Sequence, residues 1–417
     1  MSSREFLTRS IESDAGLRLA MLADDVTGAC DAGVQFSRRG ASTRVYLGTR
    51  PISAPAAQVS VVVTHSRNDS PEEASMKVQL ACDQIASSGG VLCYKKIDST
   101  LKGNLGAELN GIRIRNPGRL ILVCPSSPKM HRVLVNGWLR TSSVKDLEPI
   151  DLPSLLTSQG ARNLACIAQP ADHGESSTLM KQIQRAEANG ARIIVIDGAT
   201  ESHLDAIASA AFQIVPQPLL VGSAGLACSW SKLLLEAACK GASRAAGQAS
   251  ASMVPGNVDT AGPVVFCIGS KNSITCQQSR YLSETHEVNE FDSHRDDLSR
   301  VRTAAADGCH MIISLEAAAQ NSRDLRRLLA AILETDNVRG LVCSGGDTAL
   351  LVCSSLGAEA IRLHYEILPG LPWGTLEGGS ASGLPICTKA GGFGSVESLC
   401  QVADFLATRP PFRWRQL

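Results

Sequence analysis

VSVVVTHSRNDSPEEASMKVQLACDQIASSGGVLCYKK, residues 59–96, reads as one strand–helix–strand unit. VSVVVT (59–64) and VLCYKK (91–96) are short apolar runs of the kind that fill a buried strand. Between them, PEEASMKVQLACDQIASSGG is an amphipathic helical pattern. Pro71 opens it where a missing N–H costs nothing, and glycines close it. A crossover helix of this length implies parallel strands. The same alternation extends outward through LRLAML (17–22), TRVYL (43–47), LILVCP (120–125), NLACIA (163–168), RIIVID (192–197) and PLLVG (218–222). It breaks in KGASRAAGQASASMVPGNVDTAG (240–262), an Ala-, Gly- and Ser-rich stretch without apolar periodicity. A second series follows in PVVFCIGS (263–270), HMIISL (310–315), RGLVCSGG (339–346) and LPICTKAGG (384–392), with no register of internal repeat. The fold class expected is α/β: two doubly wound domains with mainly parallel sheets, over 1–240 and 263–417. A linker at 241–262 joins them, and an active site is expected in the cleft between them.

Composition narrows the function classes. Of 417 residues, 44% are apolar and 19% charged, so a largely disordered chain is excluded. Forty basic residues balance forty acidic ones, which removes the basic excess of a nucleic-acid binder. The fourteen cysteines form no C-x-x-C pair, and several lie inside apolar runs, where a thiol packs as a small hydrophobe. That pattern fits a reducing compartment. The acidic, h-region-free opening is no secretory signal, and the longest apolar stretch, 218–239, is interrupted by serines and charges. A span of about 20 apolar residues is therefore missing. A cytoplasmic globular protein is expected, with neither membrane nor nucleic acid as partner. Homo-oligomerisation is left open.

In doubly wound sheets, ligands bind beyond the C-terminal ends of strands. The first strand delivers Asp24 and Asp25, then Thr27-Gly28 at a helix start. Two carboxylates there can orient hydroxyls or hold Mg²⁺; the plainer reading is a helix cap. The strand at 91–96 delivers Lys96, Asp98, Ser99 and Thr100, followed by Lys102-Gly103-Asn104. Such a cluster suits a small polyhydroxy acid, with Lys96 pairing its carboxylate and Asp98 accepting a hydroxyl proton. Arg67 is a third anion contact or simply a surface arginine. In the second half, Ser270, the run Gly345-Gly346-Asp347-Thr348, and Lys389 with Gly391 and Gly392 recur at strand ends before helices. Bare amides at helix starts suit phosphate oxygens, so three such turns point to a nucleotide. No P-loop, G-x-G-x-x-G after a first strand, H-E-x-x-H or G-x-S-x-G occurs, and no metal ligands stand out.

These motifs converge. ADDVTGACDAGVQ (23–35), KKIDSTLKGNLGAE (95–108), GSAGLA (222–227), GSKNSITCQQ (269–278), SGGDTA (344–349) and PGLPWGTLEGGSASGLPICTKAGGFG (369–394) closely resemble the four-carbon acid sugar kinases, across roughly residues 17–408. The resemblance implies a sugar-acid domain followed by a nucleotide domain. It implies a substrate site at Asp25, Arg67 and the Lys96–Ser99 stretch, Asp98 included; the strand-end reading adds Asp24, and Asp25 or Asp98 is the catalytic carboxylate expected. It implies an ATP site at Ser270, Gly345 to Thr348 and Gly391, to which the turn reading adds Lys389 and Gly392, and Mg²⁺ is expected to accompany ATP. The K-x-D-S-T-x-x-G-N form resembles the threonate and erythronate branch, and D-threonate, phosphorylated at its 4-hydroxyl, is the substrate expected. Val26 replaces a usual Phe. His131 stands where a Gly-Arg pair is usual, although Arg132 remains. A nicotinamide-dependent oxidoreductase and a non-catalytic sugar-acid sensor are the competing readings.

Overall fold

The computed structural model describes residues 19–48, 57–141, 148–169, 176–241, 262–292, 297–315 and 322–413. They divide into two compact units. The first comprises the chain to Thr43 and Gly48–Gly247; the second comprises Arg44–Leu47 and Gln248–Leu417. The linker read at 241–262 lies, for 242–261, outside the described residues. Strand Thr43–Tyr46 (β2) was read with the first series, yet Arg44–Leu47 groups with the second unit. There the Leu47 amide donates to the Glu359 carbonyl at 3.0 Å, and Arg44 pairs with Glu377 through Nε at 2.6 Å and Nη2 at 3.2 Å.

The first unit is built on a parallel sheet of β1 (Leu19–Ala23), β3 (Val59–Val63), β4 (Val91–Lys96), β5 (Ile121–Cys124), β9 (Leu164–Ile167), β10 (Ile193–Ile196) and β11 (Leu219–Gly222). Its order is β3-β1-β4-β11-β5-β10-β9. Helices α2 (Pro71–Ser87) and α3 (Leu105–Arg115) bury Val78, Ala81, Ile85, Leu105, Leu109 and Ile112 against Ala20, Leu22 and Val62. Helix α1 (Val26–Ser37) follows β1 on the opposite face, where Gly28 adjoins the Lys96 side chain. The connections from β1 and β4 thus leave toward opposite faces, which opens a crevice at the ends of these neighbouring strands.

One irregularity decides what that crevice contains. Between β1 and β4 the register runs Ala20 to Leu92 and then Met21 to Tyr94, leaving Cys93 as an extra residue. Side chains alternate faces along a strand, so a bulge reverses everything after it. Lys95 consequently pairs with Leu22 on the α3 face, and Lys96 with Ala23 on the α1 face. Without the bulge the two lysines would exchange sides.

Residues 125–160 also carry regular structure that the sequence reading left unassigned. Strands β6 (Arg132–Val135), β7 (Trp138–Thr141) and β8 (Ile150–Asp151) form a small antiparallel sheet. Asn136-Gly137, with φ of 53° and 77°, makes its hairpin turn. Asp197 accepts both turn amides, at 2.7 and 2.9 Å.

The second unit has a parallel core of β12 (Val264–Ile268), β13 (Val288–Asp292), β14 (His310–Ser314), β15 (Gly340–Ser344) and β18 (Pro385–Lys389). An antiparallel hairpin of β16 (Ala360–Leu368) and β17 (Leu371–Glu377) joins it beside β18. The α/β class with mainly parallel sheets stands as expected. Among the described residues, no helix is long and apolar enough to cross a membrane.

Candidate functional site

In the first unit the strand-end residues converge on Arg67. Its Nε donates to Asp24 Oδ2 at 2.6 Å and its Nη1 to Asp25 Oδ2 at 2.8 Å; Nη2 lies 3.9 Å from Asp98 Oδ1. The sequence alternative of an isolated surface arginine is thereby excluded. Burial alone would lower the Arg67 pKa, but Asp24, Asp25 and Asp98 outweigh it and hold the guanidinium above its ordinary value. Asp25 also caps α1, accepting the Gly28 amide at 2.8 Å and the Thr27 hydroxyl at 2.8 Å. Capping and site membership are the same residue's work. Burial and the neighbouring Asp24 push the Asp25 carboxyl up, against the pull of Arg67 and Lys96.

Asp98 sits differently. Its Oδ2 accepts the Thr100 hydroxyl and the amides of Thr100 (3.1 Å) and Lys102 (3.3 Å), while Oδ1 accepts no hydrogen bond. Burial would raise its pKa, but Arg67, Lys96 and these donors hold it below the usual value. Asp98 is therefore an ionised carboxylate with one oxygen left for a ligand. Asp24 is 3% exposed, and its Oδ1 is buried with no hydrogen-bond partner. A lone pair so placed calls for a donor, such as a ligand hydroxyl. Lys96 is 3% exposed, and its Nζ lies 3.1 Å from where a Cβ on Gly28 would stand. No described residue forms a hydrogen bond or ion pair with that ammonium, which suits an anionic ligand.

Arg132, at the base of the β6–β7 hairpin, donates to the Ser99 hydroxyl, so Ser99 also belongs to this cluster. Asn104 precedes α3 without capping it; its Nδ2 instead donates to the carbonyls of Ser66 (3.0 Å) and Asp69 (2.9 Å). Behind the cluster, Lys95 and Glu108 form an ion pair at 2.9 Å, and Glu108 accepts the Ser66 hydroxyl. The sequence reading missed Lys95, Ser66, Glu108 and the part played by Thr27. Only the unusual Lys95-Lys96 pair hinted at a second buried cation.

In the second unit, the turns after β12, β15 and β18 meet. Gly345 occupies the cap position of helix α11 (Gly346–Ser355) at φ 109°, a left-handed conformation that favours glycine, and no side chain caps the helix. The first-turn amides remain open to an anion. A Cβ on Gly391 would collide with Ser270 Oγ, so the turns at 270 and 391 touch here and a larger residue would push the Ser270 side chain aside. Gly392 lies against Asn272, and Thr348 Oγ1 faces Gly269 and Gly345. The helix expected at Ser270 starts instead at Ser273 (α8, Ser273–Thr285), capped by Asn272. Asp347 is exposed at the first turn of α11.

Lys389 is placed otherwise than the sequence reading had it. It is fully buried, and its Nζ donates to Thr275 Oγ1 (3.2 Å) and to the carbonyls of Ala390 (3.1 Å) and Gly391 (2.9 Å). All three N–H groups are used in holding the glycine turn from beneath. Burial pushes this ammonium down to about 8, from an ordinary 10.5. Between those values the unfolded chain carries the proton and the folded chain does not, so stability rises with pH across that window. The turn itself responds in the opposite sense, because a neutral amine has two N–H groups for three acceptors. A ligand held on this turn is expected to bind more weakly as pH passes through about 8, and Lys389→Met should weaken its binding at every pH and abolish the step. An unchanged pH step in the variant would assign it to another group.

Two family models match the chain. The family described as "Sugar-binding N-terminal domain" matches residues 19–230, just over half of the chain, and "Nucleotide-binding C-terminal domain" matches 299–399. The D-threonate kinase of Salmonella typhimurium is 29% identical, over 94% of this chain and 98% of its own. The D-erythronate kinase of Heliobacterium modesticaldum is 26% identical, over 94% and 97%. A crystal structure of a Haemophilus influenzae protein superposes with a TM-score of 0.69 at 19% identity, covering 93% of this chain and all of its own, which supports the fold. The chain belongs to the four-carbon acid sugar kinase family, with a sugar-binding N-terminal domain and a nucleotide-binding C-terminal domain.

Proposed function

We propose that the protein transfers the γ-phosphoryl group of ATP to the 4-hydroxyl of a four-carbon sugar acid, D-threonate before D-erythronate or 3-oxo-tetronates. The observation that carries this is the buried, unpartnered ammonium of Lys96 beside two carboxylate oxygens, Asp24 Oδ1 and Asp98 Oδ1, that lack donors. One cation and two acceptors in a crevice match an acid with several hydroxyls. A nicotinamide enzyme would carry the dinucleotide fingerprint that this sequence lacks, and a silent sensor has no use for the three glycine turns of the second unit.

In this reading Lys96 and the remaining donors of Arg67 take the acid's carboxylate, and Asp24 accepts one of its hydroxyls. Asp25 fixes Arg67 and the start of α1. Asp98 Oδ1 accepts the proton of the attacking hydroxyl, because both Asp25 oxygens already hold hydrogen bonds. Phosphoryl transfer depends mainly on positioning and charge neutralisation, which these residues supply.

ATP would rest on the first-turn amides of α11 and on the turns at Ser270 and Gly391–Gly392. Among the described residues no cluster of three or more His, Cys, Asp or Glu could hold a metal, so a protein-built Mg²⁺ cage does not fit. Mg²⁺ bound mainly through phosphates and water does fit, with Asp347 as the one carboxylate in the three turns. It would neutralise phosphate charge. A cytoplasmic location agrees with thirteen free cysteines among the described residues.

ADP release measured over a panel of D-threonate, D-erythronate, their L-isomers and 3-oxo-tetronates tests the substrate. The highest kcat/KM is expected with D-threonate. A 3-oxo-tetronate preferred by tenfold or more would move the protein to the other branch, about 1.4 kcal/mol in transition-state binding.

A further inference from the structure

We propose that the buried Lys95–Glu108 ion pair, with Ser66 as its third member, is the positioning element that sets the spacing of the carboxylate clamp formed by Lys96 and Arg67. The inference rests on the reading that these two cations hold the acid.

The pair is costly where it stands. Lys95 is 0% exposed and Glu108 2%. Buried ion pairs are often no more stabilising than apolar side chains of the same volume, so stability alone does not account for one here. Its connections do. Glu108 projects from α3 and joins two strand ends: one oxygen accepts Lys95 Nζ after the bulge of β4, and the other accepts the Ser66 hydroxyl beyond β3. Lys95 Nζ also donates to the Lys96 carbonyl at 3.1 Å, and the Ser66 hydroxyl meets Thr64 Oγ1 at 2.7 Å. Thr64 in turn donates to the Ala23 carbonyl at 3.0 Å, next to Asp24. Lys95 is thus bonded to and adjacent to Lys96, and Ser66 is adjacent to Arg67; Thr64 extends the chain through Ala23 to Asp24, which holds Arg67, and Glu108 ties the two arms together.

A second feature shows that geometry is at stake. The bulge at Cys93 sends Lys95 to one face of the sheet and Lys96 to the other. The Lys95 bond to Glu108 locks that choice, because a slip of one residue would place Lys96 against Glu108 and withdraw it from the crevice.

The test uses two sets of variants in the full chain. Lys95→Met/Glu108→Leu replaces the pair by apolar side chains and leaves neither charge buried alone. Ser66→Ala removes one hydroxyl, and Ser66→Thr restores it. With thermal melting as the check on folding, the double variant should raise the acid's KM about tenfold or more and leave the KM for ATP within about twofold. Ser66→Ala should raise the acid's KM about threefold to tenfold, and Ser66→Thr should return it toward wild type. Should the double variant fail to fold, the Ser66 pair decides. An unchanged acid KM, or equal rises in both KM values, overturns the proposal. Wild-type protein that uses no four-carbon acid overturns the functional reading instead, and so separates the two failures.

Discussion

Asp98→Asn is expected to lower kcat by about 10²–10⁴-fold, the span found for removal of a general base. ATP affinity, read by calorimetry, should stay within about twofold of wild type, since Asp98 belongs to the other unit's sheet. The substitution is conservative in shape. The amide oxygen can occupy the position of Oδ2 and keep the Thr100 and Lys102 donors, leaving an NH₂ where Oδ1 stood. What is lost is the ability to take a proton. The pKa directions sharpen this assignment. Asp98 is held low by Arg67 and Lys96 against the effect of burial, so it stays ionised throughout the working range. Asp25 is pushed up by burial and Asp24, so it takes a proton above its ordinary 3.8 as pH falls. Acidification should therefore weaken the clamp through Asp25 before it silences the base. A kcat for Asp98→Asn within threefold of wild type would leave Asp25 as the base.

Lys96→Met should raise the KM for the sugar acid about 10²-fold with the KM for ATP unchanged, in line with losing one member of a desolvated charge pair. Methionine fills the stem of the lysine, so packing beneath α1 survives. Lys95→Met alone should add a second effect. It strands the Glu108 carboxyl in the core with only the Ser66 hydroxyl, and should cost about 3–5 kcal/mol of stability. Both lysines then bear on the acid's KM, but only the loss of Lys95 should lower the melting temperature markedly. An equal loss of stability in Lys96→Met would mean that the bulge does not sort them as described.

Much of this architecture was legible in the sequence because strand and helix periodicities differ so plainly. The unit at 59–96 appears as read, with β3 at Val59–Val63, α2 from Pro71 and β4 at Val91–Lys96. Strand-end loops named Asp24, Asp25, Arg67 and Asp98, which the fold brings together, since strand ends of a parallel sheet cluster at one edge. Three things were hidden. The strand at 43–46 looks like any other in the series, and nothing local tells which unit's sheet it enters. The bulge at Cys93 leaves no mark in VLCYKK, yet it decides which lysine faces the crevice. Lys389 sits at a strand end like Lys96, and only its burial beneath carbonyls shows that it supports the turn. In each case long-range pairing overrode a local pattern that was itself correctly read.

The central step is transfer of a phosphoryl group to the 4-hydroxyl oxygen of a four-carbon acid. Phosphorus NMR of a completed reaction with Mg²⁺-ATP and D-threonate measures that bond directly. One phosphate monoester coupled to the C4 protons, formed one for one with ADP, is the result predicted. ADP accompanied by inorganic phosphate alone, or an ester on C2 or C3, would contradict it.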